Sequence, residues 1–394
     1  MADQRSPYIP SNLQLYSHNV RGLNIPEKRA RLLRELRSSR ASVAFLQETH
    51  FRSGSAPILR DTNYPVGYFS DYKQSKSRGV AILISKEVPF VLEATMTDEG
   101  GRYIFVRGAI LDTVYTFASI YLPNKRQQTS LTRILRALDS FQKGITVVAG
   151  DFNIPLEPQI DSSTGSSSTP AHVLRSIRRS LHAHRLVDVW QARHPSERDY
   201  SYFSQVHSTH TRIDYFFMHY HNLNLTSSID ILATTWSDHA PLNLKLLSPM
   251  LVPRERQWRL NVSLLDDPLI CEELHTTLEH FFAENNTSDT TFPTLWEAHK
   301  AVIRGFFISK GTARKKLRDA EHRTLVDNVR ALELEHITTG DATVYQRLLQ
   351  SRQALEKMMN TSLRYQALRA RSFFALRENK PGRFLARILQ DRRT

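Results

Sequence analysis

The stretch ITVVAGDFNIP, residues 145–155, combines a strand pattern with polar side chains at its end. Its first residues form a short apolar run rich in β-branched side chains, which predicts a buried strand over 145–151. Asp151 and Asn153 stand at positions i and i+2, so in an extended chain they project to the same side. Taken alone, the motif could instead be an Asx turn that ends the strand. The first interpretation predicts a carboxylate and an amide at the mouth of a sheet.

Other apolar segments in the first 248 residues also carry a polar residue at one end or in the middle. Strands are predicted over 13–19, 42–48, 79–85, 103–110, 114–121, 212–218, 229–235 and 241–247. The polar residues that these segments deliver are Asn19, Glu48, Tyr121, Asp214, Asp238 and His239. A buried Asp is costly unless it is paired or binds a metal, so one shared site is more economical than independent accidents. Oxygen ligands such as Glu48 and Asp151 suit Mg²⁺ or Mn²⁺.

Helical patterns fill some of the gaps between these strands, over 26–38, 127–142 and 170–184. Strands with helices between them predict a layered α/β domain over residues 1–248. Beyond about residue 250 the strand signals stop, and residues 293–337 follow a long helical pattern. TTGD at 338–341 predicts a turn between two antiparallel helices. Residues 249–394 are therefore predicted to be a separate all-α extension with an antiparallel helical hairpin.

The chain of 394 residues carries 53 Lys and Arg against 39 Asp and Glu, a net charge of +14. This excess favours a polyanionic partner, most simply nucleic acid. The run KGTARKKLR at 310–318 and the tail at 383–394 are candidate nucleic-acid surfaces, with a merely solvated helix face as the alternative. The single cysteine, Cys271, allows no disulfide within the chain and fits a reducing compartment. We find no signal peptide and no apolar run long enough to span a membrane.

The order of these motifs resembles the endonuclease/exonuclease/phosphatase family, which includes exonuclease III, apurinic endonucleases and pancreatic-type DNases. The resemblance covers residues 12 to about 248 and is carried by SHNVRG, QET, Y-x-PN, GDFN, RIDY and SDH. It is more specific for the endonuclease domain of LINE-type non-LTR retrotransposons, through VRGLNIPEKR, FLQETH, RGVAILIS, GDFNIPL and WSDHAPL. The helical remainder resembles the segment that follows this domain in such polyproteins. Since no reverse transcriptase follows, the chain looks like an N-terminal fragment.

The resemblance implies a four-layered α/β sandwich, in which two mixed β-sheets are flanked by helices and the site lies where strand ends meet. It implies Mg²⁺ or Mn²⁺ as cofactor, with the metal ligands drawn from Asn19, Glu48, Asp151, Asn153, Asp238 and His239. The catalytic residues that it implies are Tyr121, Asp151, Asn153, Asp214 and His239. Ser201 occupies the place of a DNA-contacting Ser or Thr. Whether Asp151 or His239 activates the attacking water stays open.

The leading functional hypothesis is a metal-dependent endonuclease that nicks duplex DNA in the nucleus to prime retrotransposition, with RNA as a further partner of the basic helices. A repair-type apurinic endonuclease or 3′–5′ exonuclease is the alternative on the same scaffold. A phosphoinositide or sphingomyelin phosphodiesterase is disfavoured by the basic charge and the lack of membrane signals. A non-catalytic nucleic-acid-binding protein is a hypothesis of another class, against which the complete motif set argues.

Overall fold

The structure is a computed structural model, which describes residues 12–51, 59, 61–233, 236–247, 258, 260–287 and 290–377, with side chains described as far as residue 359. Residues 1–253 and 329–394 together form one compact unit, and residues 254–328 form a second. The predicted boundary between residues 248 and 249 lies outside the described residues, as does the basic tail at 383–394. The division into 1–248 and 249–394 stays a prediction.

The strands and helices follow the sequence-based expectations closely. The strands are β1 (Asn12–Asn19), β2 (Val43–Gln47), β3 (Val66–Ser70), β4 (Val80–Ile84), β5 (Phe90–Thr97), β6 (Tyr103–Ile110), β7 (Thr113–Tyr121), β8 (Ile145–Asp151), β9 (Leu186–Asp188), β10 (Tyr202–Ser204), β11 (Thr209–Thr211), β12 (Asp214–His219), β13 (Thr226–Ile231) and β14 (Leu242–Leu247). The α-helices are α1 (Pro26–Ser38), α2 (Gln127–Phe141), α3 (Pro158–Asp161), α4 (Ala171–Ala183), α5 (Val189–Arg193), α6 (Pro268–Asn285), α7 (Phe292–Thr339) and α8 (Ala342–Arg377). Every predicted strand and helix has its counterpart, although residues 234 and 235 of the predicted strand 229–235 lie outside the described residues.

The strands that the sequence pattern missed are β3, β5, β9, β10 and β11. Three of these are only three residues long, so they are too short to show a period. β3 and β5 are edge strands with mostly exposed or half-buried side chains. Short or weakly buried strands lack the apolar run on which the prediction depended.

Two six-stranded sheets face each other, with strand orders β13-β14-β1-β2-β4-β3 and β5-β6-β7-β8-β12-β9. Both sheets are mixed, because β1 is parallel to β2 and β7 is parallel to β8, whereas the other neighbours are antiparallel. A parallel pair needs a crossover connection, which α1 supplies in the first sheet and α2 in the second. β10 and β11 form a separate antiparallel hairpin.

The hydrophobic core has three parts, one between the two sheets and one on the outer face of each sheet. Between the sheets, the ring of Phe45 meets Phe117 at 5.9 Å and Phe216 at 5.8 Å, both edge-to-face. Leu32 and Leu36 of α1 are buried against the outer face of the first sheet. Residues of α2 and α4 cover the outer face of the second sheet. The predicted four-layered α/β sandwich is confirmed.

The strand directions explain why polar residues gather at one edge. The parallel strands β1, β2, β7 and β8 end at the edge where the antiparallel strands β12 and β14 begin. Asp151, at the end of β8, is paired in register with both Tyr121 and Asp214. One rim of the sandwich therefore collects side chains from segments that are far apart in the chain.

The helical region also follows the prediction. Gly340, with φ of 63°, lies in the turn between α7 and α8, and the ring centroids of His336 and Tyr345 lie 5.2 Å apart across this turn. Seven residues of these helices follow helical spacing in the sequence; Val329, Leu332, Val344, Leu348 and Leu355 are buried, whereas Leu325 and Met359 are half-buried. None of the helices in the described part of the chain combines the length and apolarity needed to cross a bilayer.

Candidate active site

A buried amide joins two carboxylates at the edge where the strands end. Nδ2 of Asn19 donates to Oε1 of Glu48 at 3.1 Å and to Oδ2 of Asp151 at 2.9 Å. Asn19 ends β1, Glu48 follows β2 and Asp151 ends β8, so both sheets contribute to this contact. The structure therefore brings together three of the residues that the sequence nominated from separate motifs.

The ring of His239 lies between the carboxyl groups of Asp214 and Asp151 on the same rim. Nδ1 of His239 is 2.8 Å from Oδ2 of Asp214, and its Nε2 is 4.0 Å from Oδ2 of Asp151. All three side chains are buried. Burial disfavours the charged imidazole, but Asp214 and Asp151 outweigh burial and raise the pKa of His239. Burial also raises the pKa of Asp151. The two carboxyl groups therefore favour the charged form of the imidazole between them.

Glu48 occupies a strained and strongly hydrogen-bonded position. Its φ of 54° lies in the left-handed region, where a non-glycine residue is uncommon and points to a functional constraint. Nε2 of His50 lies 3.1 Å from Oε2 of Glu48. Partial burial opposes ionisation, but hydrogen bonds from His50, Asn19 and Tyr121 outweigh it and lower the pKa of Glu48 to about 2. Glu48 is therefore ionised throughout the physiological pH range.

Tyr121 lies between Glu48 and a guanidinium group. Burial and the neighbouring Glu48 raise the pKa of its hydroxyl, so the phenol stays protonated and can donate a hydrogen bond. The guanidinium of Arg102 lies 5.0 Å from the centre of the Tyr121 ring, a cation–π distance. These contacts thus fix the hydroxyl of Tyr121, a hydrogen-bond donor, at the rim.

The GDFN turn differs from the extended geometry that the sequence suggested. Asn153 has φ of 53°, and its backbone N–H donates to Oδ1 of Asp151 at 2.8 Å, so the Asx turn forms after all. Nδ2 of Asn153 donates to the carbonyl oxygen of Leu122 at 2.9 Å and lies 3.3 Å from Oδ2 of Asp151. Gly150 is required because a Cβ atom there would lie 1.9 Å from the carbonyl oxygen of Ile120. The turn itself holds the amide beside Asp151.

Asp238 lies outside the buried cluster. Its Oδ2 atom is 3.0 Å from Nη1 of Arg21, and its side chain is 33% exposed. The side chain of His239 is 7% exposed, so adjacent residues face different surroundings. The structure gives Asp238 an arginine partner at the rim, and its predicted role as a metal ligand stays a prediction.

Ser201, the predicted DNA contact, is buried. It is 1% exposed, and its Oγ atom accepts from the backbone N–H groups of Ile213 at 3.1 Å and Asp214 at 3.2 Å. In this position its hydroxyl supports the backbone of Asp214 at the start of β12. The predicted contact of Ser201 with DNA stays a prediction.

We expect Ser201→Ala to lower the free energy of unfolding by about 2 kcal/mol, because two buried N–H groups lose their acceptor. Urea unfolding measures this loss. Ser204→Ala is the matched control, since the Ser204 hydroxyl accepts a long 3.4 Å contact from His207 in the same hairpin. Its expected cost is below about 0.5 kcal/mol. Equal losses in the two variants would contradict the assigned role of Ser201.

Sequence reasoning missed residues that hold this site from behind. Nε2 of His18 lies 3.2 Å from the carbonyl oxygen of His239, and burial lowers the pKa of His18 to about 3. Arg212 is buried and pairs with Asp161 at 2.6 Å and Asp188 at 2.7 Å, which fixes the chain just before β12. His18 lies in the SHN motif and Arg212 in the RIDY motif. Each is therefore adjacent in sequence to a predicted site residue, or two residues from one, and this was the only sign in the sequence of their role.

The donor set fits a divalent cation. Asp151 and Asp214 offer carboxylate oxygen atoms, and these atoms lie with a ring nitrogen of His239 within 4.8 Å of one another; that nitrogen can bind a cation only from the neutral ring. Oδ1 of Asp214 is buried without a hydrogen-bond partner, which is costly for a carboxylate that is not otherwise compensated. Glu48 adds ionised oxygen atoms through the shared contact with Asn19. Hard oxygen donors of this kind suit divalent cations such as Mg²⁺ or Mn²⁺.

Comparisons with known proteins give the family of this chain. Residues 16–239 match the Endonuclease/Exonuclease/phosphatase family, and the chain belongs to this family. It is 26% identical over 373 residues to the "Transposon TX1 uncharacterized 149 kDa protein" of Xenopus laevis, covering 91% of this chain and 27% of that relative. The chain therefore spans little more than a quarter of the relative's length.

Solved structures resemble the α/β layers. The AP endonuclease LMAP from Leishmania major is similar with a TM-score of 0.51 and 15% identity, covering 62% of this chain and 93% of that one. The Xenopus laevis APE2 catalytic domain is similar with a TM-score of 0.50 and 19% identity, covering 60% and 93% respectively. At this level of identity the likeness establishes the fold. Family membership, with the transposon relative, supports a hydrolytic nuclease.

Proposed function

We propose that the protein is a divalent-metal-dependent DNA endonuclease that hydrolyses one phosphodiester bond to nick duplex DNA, as in LINE-type retrotransposition. The observation that carries this proposal is the position of Asp151, which contacts Asn19 at 2.9 Å and lies 4.0 Å from His239. Groups suited to proton transfer and groups suited to cation binding therefore share one rim. The net charge of +14 and the transposon relative favour a nucleic-acid substrate.

Glu48, supported by the hydrogen bond from Asn19, would hold Mg²⁺ or Mn²⁺ at this rim. The bound cation would supply positive charge to the phosphate and to the departing 3′-oxygen. The protonated hydroxyl of Tyr121, which donates to Glu48 in this structure, would turn to donate to the same phosphate when substrate binds. Asn153 offers its amide beside Asp151 as charge builds on the non-bridging oxygens.

Proton transfer falls to the buried residues. Asp214 fixes the ring of His239 through Nδ1 and leaves Nε2 directed at Asp151. The imidazole, charged between two carboxylates, stabilises negative charge on the phosphate. Asp151, as a carboxylate, accepts a proton from the attacking water, and the departing 3′-oxygen takes up a proton from solvent, so the protons balance. These roles give each nominated residue of the buried cluster a separate task.

The proposal predicts that the purified protein nicks supercoiled plasmid with Mg²⁺ or Mn²⁺ and stops when EDTA removes the metal. Three oligonucleotides then define the substrate: a plain duplex, the same duplex with one abasic site, and one with a recessed 3′ end. Internal nicking of the plain duplex at a rate similar to the abasic one is the expected result. Cleavage confined to the abasic site, or stepwise loss of 3′ nucleotides, would replace the proposal with a repair-type activity. Binding without cleavage of any substrate would favour the non-catalytic hypothesis.

Contacts outside the catalytic rim stay predictions. Lys315, Lys316 and Arg318 are exposed on α7, as a duplex-DNA or RNA surface requires, but solvation alone also explains exposed charges on a helix. Action on chromosomal DNA would place the protein in the nucleus.

A further inference from the structure

The part of the α7–α8 hairpin over residues 329–359 belongs to the same compact unit as the β10–β11 hairpin, and it packs on that hairpin. The ring of Phe203 lies 4.9 Å from that of His336 and 5.3 Å from that of Tyr345. Nε2 of His210 lies 3.0 Å from Nδ1 of His336, and Gln205 contacts the hydroxyl of Tyr345. Both β-strands and the turn between them therefore contact the helices.

Charged contacts anchor the same helices on either side of these rings. Arg330 of α7 pairs with Asp199, just before β10. Glu356 of α8 pairs with Arg31 of α1 at 2.6 Å, a second attachment to the α/β layers. The helices are also joined to each other, since Glu333 pairs with Arg352 at 2.9 Å. The helical hairpin is thus attached to the α/β layers at separate points, which limits its movement relative to them.

Burial distinguishes this contact from a loose surface association. Glu333 is 5% exposed and His336 is 6% exposed, on helices whose other charged residues are mostly in solvent. Buried polar groups are costly unless their hydrogen bonds are satisfied, and here partners on both sides satisfy them. Leu348 and Leu355 of α8 are fully buried in addition. Such burial is typical of a permanent interface.

The β10–β11 hairpin in turn contacts the proposed catalytic pair. The ring of Tyr202 lies 4.9 Å from that of His239, and the two residues form a backbone bridge. The N–H of Ala240 donates to the carbonyl oxygen of Ser201 at 2.7 Å. The hydroxyl of Ser201 holds the N–H of Asp214. A displacement of this hairpin would therefore move both His239 and Asp214.

We propose that residues 329–359 are a positioning element of the nuclease, which holds the β10–β11 hairpin against His239 and Asp214. His336 and Tyr345 are positioning residues, because they contact the β10–β11 hairpin and do not contact the reacting atoms. The effect on cleavage rests on the proposed function, whereas the effect on the hairpin is independent of it. If this is so, residues 12–247 alone lack the contacts that fix the β10–β11 hairpin against His239 and Asp214.

Hydrogen exchange on the full chain tests the proposal without an activity assay. In the double variant His336→Ala, Tyr345→Ala, the amides of β10, β11 and Ala240 are expected to exchange about 30-fold faster, because two aromatic contacts and a polar pair are lost. Amides of β1 and β2 should keep their protection, which establishes that the fold stands. Tyr345→Phe keeps the ring on Phe203 and should retain most of the protection. Tyr345→Ala alone serves if the double variant does not fold.

Leu334→Ala is the matched control, since Leu334 lies two residues from His336 on the same helix and is 47% exposed. Its exchange should equal that of the wild type. The double variant should also lose about tenfold in kcat with little change in KM, since misplacement of the acid–base pair affects the chemical step.

Unchanged exchange in β10 and β11 of the double variant would overturn the proposal. Faster exchange there with an unchanged Ala240 amide and an unchanged kcat would overturn the link to His239. If the wild type cleaves no DNA, the proposed function fails, and the exchange data still decide whether the helices hold the hairpin.

Discussion

Replacing His239 with alanine is expected to lower the single-turnover rate of DNA cleavage by about 10²–10⁴-fold. The side chain lies 2.8 Å from Asp214 and 4.0 Å from Asp151, so its loss removes the only positive charge described between these two buried carboxylates. The dissociation constant for DNA should change by less than about tenfold, because the basic surface outside the rim is untouched. Quench-flow cleavage and binding titrations under the same salt conditions measure the two quantities separately.

Loss of this imidazole also exposes the fold to repulsion between Asp151 and Asp214, so a second variant is needed. Asp214→Asn keeps the shape of the side chain but alters the hydrogen bond that orients the ring. It should lower the cleavage rate as well, with a smaller cost in stability. His207→Ala, at the exposed tip of the β10–β11 hairpin, is the control and should cleave normally. A His239→Ala protein that binds DNA poorly but cleaves bound DNA at the normal rate would show that His239 only contacts substrate.

Glu48→Gln is expected to abolish metal-dependent nicking to below about 1% of the wild-type rate, because the cation loses an ionised ligand at the rim. Hydrogen bonds from His50, Asn19 and Tyr121 keep Glu48 ionised, and glutamine cannot supply that charge. Mg²⁺ or Mn²⁺ is expected to raise the melting temperature of the wild type, and this rise should be absent from the variant. Thermal unfolding with and without metal measures this second effect independently of activity.

The metal-free Glu48→Gln protein should be about 1–2 kcal/mol less stable than the metal-free wild type, since hydrogen bonds to an ionised carboxylate are weakened. Glu99→Gln is the control, because Glu99 is exposed and pairs with Lys73 on the surface. It should keep both nicking and the metal-induced rise in melting temperature. Full activity in purified Glu48→Gln would remove Glu48 from the site.

The amino-acid sequence by itself predicted nine of the fourteen strands of the described residues, and the polar residues at their ends. Runs such as ITVV and VAFL need burial on both faces, and a polar residue that interrupts or ends them needs a partner, so Glu48, Asp151 and Asp214 could be nominated locally. The direction of the strands then gathered these residues, because β1, β2, β7 and β8 end where β12 and β14 begin. The helical pattern likewise predicted the buried stripe of α7 and α8.

Only the tertiary structure decided what Ser201, Asn153 and His336 do. Ser201 and Asp214 lie 13 residues apart, and His210 and His336 lie 126 residues apart, so no local period records these contacts. Asn153 takes a left-handed φ because Asp151 accepts its N–H, which is the Asx turn that the sequence left open, whereas the contact of its side chain with the carbonyl oxygen of Leu122, 31 residues away, depends on the tertiary structure. A local sequence pattern shows which side of a segment is buried and which is exposed to solvent. Contacts between polar groups that are distant in sequence depend instead on which segments become neighbours when the layers pack.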